Sequence, residues 1–171
     1  LETLATAAAF DLFVYTLRTT LGADAFEVGI VFSTAAVGAI VGAALTSTLR
    51  RALGFRGAFS ASALSSAVAA GAVPFAATPW KLAAAAALFM ASSGMRGALS
   101  ISRRQETTPD HLLGRVTAAF LGALGFAGII GAVVGGDLAQ RFGPAAVFAG
   151  MAASLAVVAL VSLGAPSLKA P

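Results

Sequence analysis

Four stretches of this chain carry no charged residue at all: Val28–Leu49, Gly57–Trp80, Val116–Gly136 and Phe142–Leu168. Each reaches the roughly 20 residues that cross about 30 Å of hydrocarbon as a helix. The whole composition follows them. Of 171 residues, 58% are hydrophobic and 11% charged, and the mean hydropathy is +0.92. Soluble domains carry about 25% charge and bury only part of their surface, so a water-soluble fold could not hide this much apolar area. Disorder requires the opposite composition. The chain has no Cys, which excludes a disulfide scaffold, thiolate metal sites and Cys nucleophiles. An integral membrane protein remains, with the lipid bilayer as its solvent.

Two further apolar segments are interrupted. Leu1–Leu21 contains Glu2, Asp11 and Arg18, and Leu82–Ser102 contains Arg96. Counting them, the expected fold is all-α and polytopic, one bundle over residues 1–171 with six transmembrane helices near 1–21, 26–49, 57–77, 80–102, 114–137 and 143–164. Helices satisfy every backbone group within their own segment, as the bilayer interior demands. A β-barrel would alternate apolar and polar residues over about 10-residue strands. Unbroken Ala, Leu and Gly runs do not.

Small residues recur four apart at Gly38 and Gly42, Gly94 and Ala98, and Gly131 and Gly135. That spacing lets helix backbones approach closely. The run Gly38-Ala-Ile-Val-Gly42-Ala-Ala-Leu45 is echoed by Gly131-Ala-Val-Val-Gly135-Gly-Asp-Leu138, and an Arg and a Gly follow each. The echo implies a three-helix unit used twice. An odd unit inverts its second copy in the membrane, an arrangement found in secondary transporters.

The net charge is +4. The basic residues sit singly or in short clusters between apolar runs, which fits topology signals and not a nucleic-acid face. Arg50, Arg51 and Arg56, then Arg103, Arg104 and Arg115, then Lys169 fall on one side of an even-numbered bundle. Arg18, Lys81 and Arg141 fall on the other, partly offset by Asp24, Glu27 and Asp137. Positive charge marks the cytoplasmic side, so both termini are expected there. The chain opens on Leu1 and not Met, and its first apolar segment begins at once. The expectation is a piece of a longer protein.

The segment Ser102-Arg103-Arg104-Gln105-Glu106-Thr107-Thr108-Pro109-Asp110-His111-Leu112-Leu113-Gly114-Arg115-Val116 resembles the loop between the tenth and eleventh helices of major facilitator superfamily transporters. The similarity is greatest to the drug-efflux group that includes macrolide and siderophore exporters. Gly42, Arg50, Arg51, Gly54 and Arg56 resemble the degenerate second copy of that superfamily's Gly/Arg-rich cytoplasmic loop, without the acidic residue of the stronger copy. The resemblance implies the C-terminal six-helix half of a bacterial cytoplasmic-membrane exporter, with a 3+3 inverted repeat, proton coupling and alternating access. The partner would be the missing N-terminal half or a second copy. The same cytoplasmic loops would act as a gate, holding the halves together when the site opens outward. The first, second, fourth and fifth helices would line the cavity. The loop is also readable by itself: Thr108 is expected to cap a helix whose first residue is Pro109, with Asp110 in its first turn.

Ionisable groups within a span are costly, so they are functional candidates. Asp11 lies roughly 15 Å into the first span at 1.5 Å per residue, a position suited to loading and releasing a proton. Tyr15 and Arg18 follow at four and seven residues. Arg18 is expected to anchor at the outer interface. Arg96 lies within the fourth span, and Ser93, Ser100 and Arg103 share its face by helical spacing. The stripe suggests a cavity lining and a contact for a polar or anionic substrate, with snorkelling to the headgroups as the plainer alternative. Phe10, Phe13, Tyr15 and Phe89 are candidates to line an apolar small-molecule pocket, and lipid contact or core packing is their commoner use.

His111 is the single His, so no metal site and no cofactor is expected. No phosphate-cradling Gly loop or nucleophile elbow is present, so an enzyme is not expected. The leading expectation is proton-coupled efflux of small hydrophobic molecules. Its rival is a six-helix membrane scaffold or subunit without transport.

Overall fold

The computed structural model describes residues 2–164, with side-chain environments from residue 9 onward. Lys169, counted above among the cytoplasmic charges, lies outside the described residues. The described chain is helical throughout, without a strand. Helix α1 spans Glu2–Tyr15 and runs into a π-helical turn, Thr16–Thr20. Helix α2 spans Ala25–Ala72 and ends in a 3-10 turn, Val73–Phe75. Helices α3, α4 and α5 span Pro79–Thr107, Asp110–Phe142 and Pro144–Gly164.

Local chemistry explains the helix starts. Asp24 closes a capping box on α2: its side chain accepts from the Glu27 N–H at 2.8 Å, and its own N–H donates to Glu27 Oε2 at 3.0 Å. Thr78 caps α3, accepting from the Lys81 N–H at 3.4 Å, with Pro79 as the first helical residue. Thr108 behaves otherwise than expected. It does not cap α4. It ends α3, donating its N–H to Arg104 O at 3.0 Å, and α4 begins at Asp110 with no side-chain cap. Thr108 is held extended (φ −111°, ψ 127°) because a residue before proline avoids the helical region.

Two expected boundaries are corrected. The predicted spans 26–49 and 57–77 are two helices that meet without a loop: together they make up the 48 residues of α2, Ala25–Ala72, and 73–77 follow it. A straight helix of that length would measure about 72 Å, over twice the hydrocarbon thickness. The break is at Gly54, whose backbone (φ 69°, ψ 178°) is non-helical and open essentially to glycine alone. Residues 25–53 and 55–72 therefore form two arms that both pack on α3. Gly38 and Gly42 of the first arm meet Ala87 and Ala91, and Ser62 and Ser66 of the second meet Arg96. Second, the stretch 103–113 is not an open loop. Helix α3 runs to Thr107 and α4 starts at Asp110, because water at the bilayer edge leaves charged turns free to continue a helix.

Among the described residues, four helical segments are long and apolar enough to cross a membrane: Ala25–Phe75, Pro79–Thr107, Asp110–Phe142 and Pro144–Gly164. The chain is thus an integral membrane protein. The expected first span, 1–21, is not among the four. Its α-helix stops at Tyr15 and continues only as the π turn, where the Thr16 and Thr19 hydroxyls bond the carbonyls of Leu12 and Tyr15.

The core is built mostly from small residues and three rings. Phe13 packs on Phe148 (5.1 Å between centroids) and edge-on to Phe89 (6.0 Å), and Leu17, Leu82 and Leu155 close around them. Helices α2 and α3 form the tightest pair. A methyl group added at Gly38, Gly42 or Gly94 would collide with the backbone carbonyl of Ala87, Ala91 or Ala39. The expected close approach at Gly38 and Gly42 is therefore a direct backbone contact. Gly131 and Gly135 are also buried, in α4, which packs chiefly on α1 and touches α3 little. Large apolar side chains such as Phe26, Ile40, Phe126, Val133 and Leu160 face outward, as bilayer solvent allows.

Candidate functional site

The weak contact between α3 and α4 leaves a cleft of about 490 Å³. One wall is the stripe Ser93, Arg96, Ser100 and Arg104 along α3. These positions follow one another by three, four and four residues, so successive turns present them to the same side. The other wall is apolar: Phe120, Leu121 and Leu124 of α4, with Phe59 of the second α2 arm. Among the described residues no acidic side chain lines the cleft.

Arg96 is 5% exposed, far too buried for snorkelling to the headgroups. Its Nη1 donates to Ser62 O and to Ser66 Oγ, both at 2.8 Å. The second α2 arm thus supplies acceptors that hold the guanidinium inside the protein. A buried charge needs such hydrogen bonds, since leaving it unpaired costs several kcal/mol. Ser62 and Ser66 were not singled out from sequence, although Ser60, Ser62, Ser65 and Ser66 crowd one otherwise apolar stretch. That crowding was the available signal.

Arg104 stands at the other end of the stripe. Its guanidinium carbon lies 3.8 Å from the centroid of the Phe120 ring, a cation–π contact joining α3 to α4. Its Nη1 is buried and makes no hydrogen bond among the described residues. Arg103, expected to share the Arg96 face, turns away. It lies over the Phe55 ring (5.7 Å) and 3.9 Å from Glu106. Phe59, Phe120, Leu121 and Leu124 carry no distinguishing pattern in the sequence, because apolar residues fill every span.

A second polar cluster gathers around the α2 reversal. Arg50 pairs with Glu106 at 2.6 Å, and Arg50 and Arg103 flank the Phe55 ring. Arg56 donates from Nε to Ser162 O at 3.4 Å, while Ser60 and Ser162 share a hydrogen bond of 2.6 Å. Arg50, near the end of the first α2 arm, and Arg103, near the end of α3, therefore meet through one carboxylate. Arg51, Gln105, Pro109, Asp110, Gly114 and Arg115 are exposed around this end of the bundle.

The remaining candidates lie elsewhere. Asp11 and Tyr15 are exposed on one face of α1 and do not line the Arg96–Arg104 cleft. Phe13 (3% exposed) and Phe89 (fully buried) belong to the core, the commoner of the two uses named above, and line no wall of the Arg96–Arg104 cleft. Their rings fill the space where α1, α3 and α5 converge. Phe10 is half exposed and packs on Phe32 of α2 at 4.6 Å. Among the described residues no group of His, Asp and Glu could hold a metal ion. Comparison of the chain with protein-family models, with curated proteins and with solved structures finds no match.

Proposed function

We propose that this chain is a six-span, 3+3 half of a secondary transporter of the major facilitator kind, exporting small hydrophobic molecules in exchange for protons. The observation that carries the reading is the cleft beside Arg96: a polar stripe on one wall, apolar side chains on the other, and a buried guanidinium held by two serines. Groups of this kind within a membrane are expensive to keep and mark substrate or ion paths. The reversal at Gly54 supports the count of six, because it lets the two arms of α2 cross separately, and α1 with its π turn supplies the remaining crossing.

In this reading the exposed apolar faces of α2 and α4 meet a second six-helix half, or a second copy, and the two rock about a shared site. Asp11, exposed on α1, carries the proton. The Arg50–Glu106–Arg103 cluster is the latch on the cytoplasmic side of a bacterial membrane, released when the bundle opens inward. No hydrolytic or cofactor chemistry is invoked.

The test uses the full-length protein containing this chain, reconstituted in liposomes with an imposed proton gradient. Accumulation of a lipophilic dye should follow the gradient and cease when a protonophore collapses it. Asp11→Asn should abolish the coupling while leaving dye binding intact. Dye movement indifferent to the gradient in the unmodified protein, or unaltered in Asp11→Asn, would favour the rival reading of a structural membrane subunit.

A further inference from the structure

We infer that the cleft between α3 and α4 binds an amphiphilic anion, its acidic head on Arg104 and its chain against Phe120, Leu121 and Leu124. This deepens the transporter reading and rests on it for the ligand's passage across the bilayer, though not for its binding.

Three observations converge. The cleft has room for such a molecule, at about 490 Å³. Ligand sites are mostly apolar cavities with a few convergent polar groups, which describes these two walls. Charge is the second. Among the described residues the lining contains two arginines, about 12 Å apart along the helix axis at 1.5 Å per residue, and no carboxylate. The acidic residue nearest in sequence, Glu106, is engaged by Arg50 and Arg103 on another face of α3.

The third is Arg104 Nη1, a buried donor that makes no hydrogen bond among the described residues. Buried donors are almost always satisfied, so one left open beside a cavity calls for an acceptor. The Phe120 ring holds the guanidinium carbon 3.8 Å from its centroid, and the N–H groups of a guanidinium lie in its own plane. A planar guanidinium so held suits a carboxylate, phosphate or sulfonate, which accepts two parallel bonds. Ser100 adds a hydroxyl between the two charges, and Ser93 another one turn beyond Arg96.

A neutral drug would leave Arg104 unanswered, and an organic cation would be repelled. The shared chemistry is an acidic head on an apolar chain, supplied either by the bilayer as an anionic lipid or by solution as a free amphiphile. The experiment separates the two. The full-length protein is placed in phosphatidylcholine nanodiscs and titrated with radiolabelled dodecanoate, with dodecanol and dodecyltrimethylammonium as neutral and cationic controls. In parallel, protein taken from bilayers containing phosphatidylglycerol is examined by native mass spectrometry for retained lipid.

The expected result is saturable binding of dodecanoate, retention of phosphatidylglycerol, or both, with neither control competing. Arg104→Gln should weaken that binding about tenfold or more, Arg104→Lys less, and Arg141→Gln at the opposite end not at all. Leu124→Trp, which fills the cleft without touching a charge, should also exclude the ligand. Dodecanoate binding alone identifies a soluble ligand, and lipid retention alone identifies the bilayer. Binding that ignores head-group charge, or that survives both Arg104→Gln and Leu124→Trp, overturns the site. Charge-selective binding without dye transport would remove the exporter reading and leave the site standing.

Discussion

Ser66 and Ser154 look alike in the sequence, each a serine in an apolar span, yet they do different work. The Ser66 hydroxyl accepts from the buried guanidinium of Arg96. The Ser154 hydroxyl returns to Met151 O in its own helix, where that carbonyl has little need of it. Ser66→Ala should therefore lower stability by about 1.5–3 kcal/mol, the range for a hydrogen bond to a charged group. Ser154→Ala should change it by less than about 0.5 kcal/mol. Thermal unfolding in detergent checks both, and equal effects would show that Arg96 does not depend on Ser66. The stripe Ser93, Arg96, Ser100 was legible from spacing alone. Its continuation through Arg104 and not Arg103 was not, because that choice is made by Glu106 and Phe55, which attract Arg103 from outside the stripe.

At the scale of elements, the glycines divide by what faces them. Gly42 lies on the backbone of Ala91, so Gly42→Val should part α2 from α3 and cost several kcal/mol, about what overpacking a close core contact does. Gly125, in α4, meets nothing within 4 Å. Gly125→Ala should be neutral or stabilising by about 0.5–1 kcal/mol through helix propensity. Gly54→Ala should cost about 1–3 kcal/mol, since no L-residue adopts its backbone without strain. Unfolding midpoints of the three variants should fall in the order Gly125→Ala, Gly54→Ala, Gly42→Val; a Gly42→Val protein as stable as the parent would refute the backbone contact. The four-residue spacing made the contacts at Gly38, Gly42 and Gly94 foreseeable, but not their partners, which depend on how α2 reverses. Helix ends were less legible. Charge marks where hydrocarbon stops, whereas a helix stops where capping or proline stops it, and here the two differ by several residues at Thr107 and Asp110.

For the whole molecule, the apolar runs announced a membrane protein because no aqueous fold could cover them. The crossing order is a sharper matter and is open to direct measurement, since the chain has no Cys of its own. Exposed positions at the two ends can each be given one thiol. Arg51→Cys and Gln105→Cys should react with an impermeant maleimide only in inside-out vesicles. Asp24→Cys and Gln140→Cys should react only in intact cells. Reaction of both sets from one side would mean that the helices do not cross as their lengths allow.

The backbone contact between α2 and α3 also bears on stiffness. Where Gly38, Gly42 and Gly94 press on alanine carbonyls, no rotamer stands between the two helices to absorb a displacement. The pair should move as one strut. Helix α4 is joined to α3 by little more than a ring under a guanidinium, with a cleft beside it. Mechanical compliance is thus concentrated along one seam, and a ligand lodged there would sit where the bundle yields most easily.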